Sequence, residues 1–277
     1  MFRTSQIAAA SLAAVTLLGN SGGATAQHHK PAHNPHHAPS VAQAAPVSGP
    51  FAFSVYGAFQ RMMTAQDFSP KVQLKSVMHA GTTAAVGAVS GLRGEITAID
   101  GKLLLTYGTP CATCGHPAED SATLLVTAKV SAWHAPVTLP FDLAGPALDD
   151  FIVAQAKKAG LDVNKPFPVR MKGTLTGVKM HVLRGPNAQA KRHGAGHGSG
   201  HGSGHASGHG AADQTEIAAE SIEGAVVGFY APAPLQGIVT HPGDPFHYHW
   251  VDSGRTKTAH LDAFGMKAGA ELLLPAR

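Results

Sequence analysis

Apolar positions follow strand-like patterns over most of this chain and helical spacing in only a few stretches. Val55, Phe59, Met62 and Met63 form a helical stripe. Ser69-Pro70 reads as an N-cap followed by proline at the first helical position, which predicts a short second helix. From Thr82 onward the pattern becomes strand-like. Residues 95–99 and 102–106 flank Asp100-Gly101, a pair that accepts the positive φ angles of a type I′ turn, and so predict a β-hairpin. Further strands are predicted over 121–130 and 137–141. Leu148, Phe151, Ile152, Gln155 and Ala156 predict one helix, stopped by Gly160. Residues 168–183 predict two strands around Gly177, and a later set is predicted over 222–229, 237–240, 246–251, 259–264 and 271–274. Few helices and many short strands indicate an α+β protein with two sheets.

Three stretches fall outside this patterning. Residues 1–26 read as an export signal: Arg3 supplies the positive start, Ile7 to Leu18 the short apolar core, and Ala24-Thr25-Ala26 the cleavage site before Gln27. That apolar run is too short to stay as a spanning helix, and no later stretch approaches 18 consecutive apolar residues. The expected location is periplasmic or secreted, with no membrane partner. Residues 27–50, rich in His, Pro and Ala, are expected to be disordered. Within 191–212, His193, His197, His201, His205 and His209 recur every fourth residue among Gly and Ser, the composition of a flexible tether. Both tracts are expected to bind divalent metal ions, since neutral imidazole suits several of them.

The formal charge of +4 becomes +3 when Arg3 is removed, since 4 − 1 = 3. No Lys/Arg cluster with interleaved aromatics occurs, so a nucleic-acid partner is not supported. Cys111 and Cys114 stand in Cys-Ala-Thr-Cys-Gly-His. In an oxidising compartment the default is a local disulfide; a metal site with His116 is the alternative, with no fourth ligand in view. Gly115 after the second cysteine departs from the haem-attachment pattern.

The stretch with the clearest chemistry is Pro245-Phe246-His247-Tyr248-His249-Trp250, with His260 eleven residues after His249. Strand side chains alternate faces, so His247 and His249 project from one side about 7 Å apart. Asp252-Ser253-Gly254-Arg255 reads as a turn, and a returning strand could set His260 opposite that pair. Three imidazoles on one face suit a catalytic zinc ion, which takes nitrogen at about 2.0–2.1 Å and keeps a position open for water or substrate. The chain has 18 histidines, five in 27–50 and five in 191–212, and none of these three lies in either tract.

These motifs resemble the alpha-acetolactate decarboxylase family. The carrying residues are Gly91-Leu92-Arg93-Gly94-Glu95-Ile96 with Ile99-Asp100-Gly101, then Glu223-Gly-Ala-Val-Val-Gly-Phe229, then Phe246-His247-Tyr248-His249 and His260-Leu261-Asp262. The likeness spans about 55–275, with the His/Gly tract as an insertion. It implies two sheet-rich parts, a mixed sheet over 51–190 and an antiparallel, barrel-like, metal-binding sheet over 213–277. It implies zinc held by His247, His249 and His260, and a site role for Glu95, which matches the family's glutamate. The implied reaction converts 2-acetolactate, or a close hydroxy-keto acid, to acetoin and CO2. Loss of CO2 leaves an enediolate that a Lewis acid stabilises, while a nearby carboxylic acid manages the proton.

Two departures stand out. Where the family has Val-Lys-x-Arg, this chain has Val178-Lys179-Met180-His181, so His181 takes the place that would meet the substrate carboxylate. It is mostly neutral near pH 7 and lacks the guanidinium fork, and Arg184 points to the opposite strand face. Family members also draw a glutamate from beyond the Leu-Pro near residue 275, whereas Glu271 falls inside the last predicted strand. The alternative function is therefore a non-catalytic, exported metal-binding or metal-buffering protein on the same scaffold. Expected partners are a small substrate, metal ions on the tracts, and a second copy of the chain as a homodimer.

Overall fold

The computed structural model describes residues 51–77, 84–109, 119–186 and 212–276. The export segment, the 27–50 tract, Cys111, Cys114 and His116, and the His/Gly tract through residue 211 lie outside the described residues. Among those described, no helix is long and apolar enough to cross a membrane.

The first sheet is built from β1 (Phe51–Tyr56), β2 (Val72–Gln73), β3 (Ala84–Val89), β4 (Gly94–Ile99), β5 (Lys102–Tyr107) and β6 (Ser121–Val130), in the order β1-β6-β3-β4-β5 with β2 also on β6. Helices α1 (Phe59–Ala65) and α2 (Leu74–Val77) join its early strands. Both faces are covered, so β3 and β4 are buried at every position and show no polar alternation. Ile96 and Ala98 pack on one face with Leu74 and Leu125, while Ile99 joins the core shared with the second sheet. Period-two alternation therefore turns Glu95 and Thr97 toward the second sheet.

The second sheet comprises β7 (Val137–Thr138), β8 (Leu143–Ala144), β9 (Phe167–Pro186), β10 (Ala212–Tyr230), β11 (Phe246–Val251), β12 (Thr258–Met266) and β13 (Glu271–Leu273). Its order is β7-β13-β9-β10-β11-β12-β8, and β12 also pairs with β9. That extra pairing closes β9, β10, β11 and β12 into a small antiparallel barrel. Helix α3 (Pro146–Lys158) packs Leu148, Ile152 and Ala156 into the common core, and the Tyr248 hydroxyl donates to Asp149 at 2.8 Å.

The two-sheet α+β arrangement expected from the sequence is observed, with four corrections. Every ladder of the first sheet is antiparallel where a mixed sheet was expected, with β3, β4 and β5 following one another through short connections as a meander. The chain changes sheets between Val130 and Val137, so β9, assigned by sequence to the N-terminal part, is central to the barrel. Gly177 (φ +55) does not turn the chain; β9 runs straight through it. The helix expected at Ser69-Pro70 is also absent. The Asp67 carboxylate captures the Ser69 hydroxyl (2.6 Å) and Lys71 Nζ (2.7 Å), making a local turn, and α2 starts only at Leu74. The 95–106 hairpin forms as expected, with Asp100 (φ 51) and Gly101 (φ 73) at its turn.

Candidate metal centre

β11 is buried at all six positions. Its Phe246, Tyr248 and Trp250 enter the large core, and alternation turns His247 and His249 to the other side. Register then builds a row of imidazoles. His249 lies opposite His260 on β12, and His260 lies opposite His181 on β9. Three adjacent strands of the barrel thus carry histidine at one level, with His247 two residues along from His249. Ring centroids are 4.9 Å apart for His247–His249, 5.1 Å for His247–His260, 5.5 Å for His249–His260 and 4.7 Å for His181–His260.

The first sheet fixes the tautomer of His249. Thr258 donates its hydroxyl to the Trp250 carbonyl (2.8 Å), so at the 2.5 Å Thr97–Thr258 contact Thr97 is the donor. The Thr97 oxygen therefore accepts from His249 Nδ1, 2.9 Å away. His249 Nε2 is left carrying its lone pair, 3.0 Å from His247 Nε2. Glu95 arrives from β4, with Oε1 accepting the Leu183 amide (3.1 Å) and Oε2 lying 3.8 Å from His249 Nε2.

At the other end of the row, Asp262 ties two histidines together. Both its oxygens are 2.9 Å from His181 Nδ1, and Oδ1 is 3.4 Å from His260 Nδ1. Burial by itself would raise Asp262, but the hydrogen bonds from His181 and His260 prevail and hold it below the usual carboxylate range. Burial would likewise lower His181, yet the Asp262 hydrogen bond and the nearby Glu95 leave it raised overall. Desolvation dominates elsewhere: His247 and His249 are pushed well below 6.5, His260 is lowered, and Glu95 is pushed up to about 7.

Glu95, His181, His247 and His260 open onto a pocket whose remaining walls are apolar, including Phe59, Met62, Leu92, Leu124 and Leu183. The structure thus brings together all five residues singled out in the sequence. Three participants were missed. His241 arrives from the loop after Thr240, its ring 5.4 Å from His260 and 4.2 Å from Phe59, and burial pushes it down to about 3. Its only sequence signal was a histidine outside the tracts. Asp262 stood in the His260-Leu261-Asp262 motif without a role, and Thr97 gave no signal.

Residues 207–273 match the alpha-acetolactate decarboxylase family. The alpha-acetolactate decarboxylase of Bacillus subtilis strain 168 superposes with a TM-score of 0.56 at 14% identity, covering 80% of this chain and 84% of that one. The acetolactate decarboxylase of Bacillus subtilis subspecies spizizenii gives 0.57 at 13%, covering 80% and 84%. The fold is that of these acetolactate decarboxylase structures, and residues 207–273 are similar in sequence to the alpha-acetolactate decarboxylase family. A Staphylococcus aureus protein of unknown function, described as similar to alpha-acetolactate decarboxylase, has the same architecture (TM-score 0.53, 17% identity, covering 79% and 83%). No curated protein matches the chain in sequence.

The donor set on this decarboxylase fold suits a divalent metal. Metal-binding imidazole must be unprotonated, and burial keeps His247, His249 and His260 so. The 3.0 Å between the Nε2 atoms of His247 and His249 lets both sit about 2.0–2.1 Å from one ion. At the other end, ligand atoms of His181, His260 and Asp262 lie within 4.8 Å of one another.

Proposed function

We propose that the protein is a zinc-dependent decarboxylase converting 2-acetolactate, or a close hydroxy-keto acid, to acetoin and CO2. The observation that carries this reading is the clustering of His247, His249 and His260 beside Glu95, with Glu95, His247 and His260 opening onto one otherwise apolar pocket and burial pushing the Glu95 carboxyl up to about 7. Zinc, when bound by the three imidazoles, would supply a Lewis acid for the negative charge left on the substrate's carbonyl and hydroxyl oxygens as CO2 departs. Glu95 keeps its proton to about pH 7 and can deliver it to the carbon that lost the carboxylate. The Leu183 amide fixes Oε1, which turns Oε2 toward His249 and the pocket. The apolar walls limit competing water.

His181 occupies the position of the family's arginine, and Asp262 already engages its Nδ1. A substrate carboxylate thus meets one imidazole in place of a guanidinium fork, and turnover about 10²-fold below that of an arginine-bearing relative is expected in kcat/KM. Racemic acetolactate supplied to the purified, zinc-loaded protein should yield acetoin above a zinc-only control. Acetoin at the control level would overturn the decarboxylase reading. The His181–Asp262 contact would then favour the second reading, a metal-binding protein without catalysis.

We further propose export, with cleavage after Ala26, and a metal-gathering role for the tracts at 27–50 and 191–212. Calorimetry at pH 7.5 is expected to show several weak Zn²⁺, Ni²⁺ or Cu²⁺ sites beyond one tight site, released as the tract imidazoles protonate near ~6.5. A single binding event with no weak phase would mean that the tracts only solubilise.

A further inference from the structure

We infer that His181 is a fourth imidazole ligand of this metal centre, so that the chain closes a coordination position that His247, His249 and His260 alone would leave open. The inference rests on the reading above that those three hold a metal. Its ground is the register: His181, His260 and His249 lie opposite one another across β9, β12 and β11, so all three project from one level of the barrel. His181 is buried (1% exposed) and lines the same pocket as His247 and His260. Its ring is 4.7 Å from that of His260, at a tilt of 34°.

Asp262 makes the two rings act as a pair. It receives Nδ1 of His181 at 2.9 Å and lies 3.4 Å from Nδ1 of His260, so on each ring Nε2 is the nitrogen that the carboxylate does not engage. A carboxylate on the far nitrogen is the usual partner of a metal-bound histidine; it sets the tautomer and raises the basicity of the ligating nitrogen. One aspartate doing this for both rings ties His181 to His260, a member of the proposed donor set. Arginine at this position could never ligate, because its guanidinium does not lose its proton. Replacing it with histidine changes a cation that shares the pocket with a metal into a donor for it.

Four imidazoles are the closed arrangement of zinc sites that hold the ion, whereas catalytic sites keep one position for water or substrate. Acetolactate would have to displace His181 to reach the metal, and only the displaced imidazole could then meet its carboxylate. The ion should accordingly be held more tightly, and exchange its ligands less readily, than in a three-histidine site.

Cobalt reads the coordination directly. The full-length protein and its His181→Ala and His181→Gln variants would each be given one equivalent of Co²⁺ at pH 7.5 and titrated with azide. The tracts are common to all three and cancel in the difference spectra. The parent should show the intense visible absorption of four-coordinate Co²⁺ and ignore azide, while the variants should respond to azide and bind the ion at least 10-fold more weakly. X-ray absorption on the zinc-loaded parent, which needs no variant to fold, should count four imidazoles. An azide response in the parent equal to that of the variants, or a count of three, overturns the inference and leaves the three-histidine reading standing. If the parent takes up no Co²⁺ into a defined site, both readings fail together.

Discussion

Replacing His247 with alanine should remove the tight metal site altogether. In protein whose tract histidines 193, 197, 201, 205 and 209 are serine, the parent should retain one tightly held Zn²⁺ per chain after dialysis, and the His247→Ala variant none. His247 is 2% exposed and its Nε2 lies 3.0 Å from His249 Nε2, so alanine deletes one half of a nitrogen pair spaced to share one ion. Losing an outer-shell partner of a ligand already costs about 10–100-fold in affinity, and losing the ligand itself should cost more. The effect is also readable as stability. Zinc at a hundredfold excess over its Kd should stabilise the parent by about 2.7 kcal/mol and the variant hardly at all. Far-UV circular dichroism of the metal-free variant checks that the barrel still forms. Retention of one tight Zn²⁺ by His247→Ala would mean that the ion sits elsewhere in the row.

Some of this centre was legible in the sequence because its signals were local. Alternation alone put His247 and His249 on one face, and Asp100-Gly101 alone set the hairpin that presents Glu95. The turn after Val251 brings His260 opposite His249, as expected, but the level at which β12 meets β9 is a register between strands far apart in the chain. No periodicity of two encodes it, so the row linking His181 to His260 and His249 emerged only from the fold. Gly177 misled for a related reason: a glycine at positive φ usually signals a turn, but here β12 and β10 hold β9 extended on both sides of it. Ser69-Pro70 misled because a neighbouring carboxylate at Asp67 competed for the serine that would have capped the helix. The hydroxyl chain from Thr97 through Thr258 to the Trp250 carbonyl joins three strands of two sheets, and no one of those residues is unusual where it stands.

Glu95→Gln should make the metal-free protein more stable at pH 8 while sharply lowering turnover. Burial pushes the Glu95 carboxyl up from 4.5 to about 7, with Asp262 adding to the shift and His181 and the Leu183 amide opposing it. Because the folded value lies above the unfolded one, Glu95 stabilises the fold fully below about pH 4.5. That contribution is lost progressively as the pH rises through 7, where the chain must bury a carboxylate. A rise of 2.5 (7 − 4.5) corresponds to about 3 kcal/mol. Glutamine cannot ionise and still offers an oxygen to the Leu183 amide, so the variant should match the parent near pH 4.5 and exceed it by about 3 kcal/mol at pH 8. Denaturant melts of both chelator-treated proteins across that range would measure the gap, and a gap independent of pH would show that Glu95 ionises in the fold as it does in water. Activity should move the other way. An amide cannot deliver a proton to carbon, and loss of a general acid typically lowers kcat by about 10²–10⁴-fold. The zinc ligands are untouched, so metal content should stay at one per chain. Higher stability at pH 8 together with lowered turnover in this one variant would mark Glu95 as a group kept for chemistry in a buried pocket.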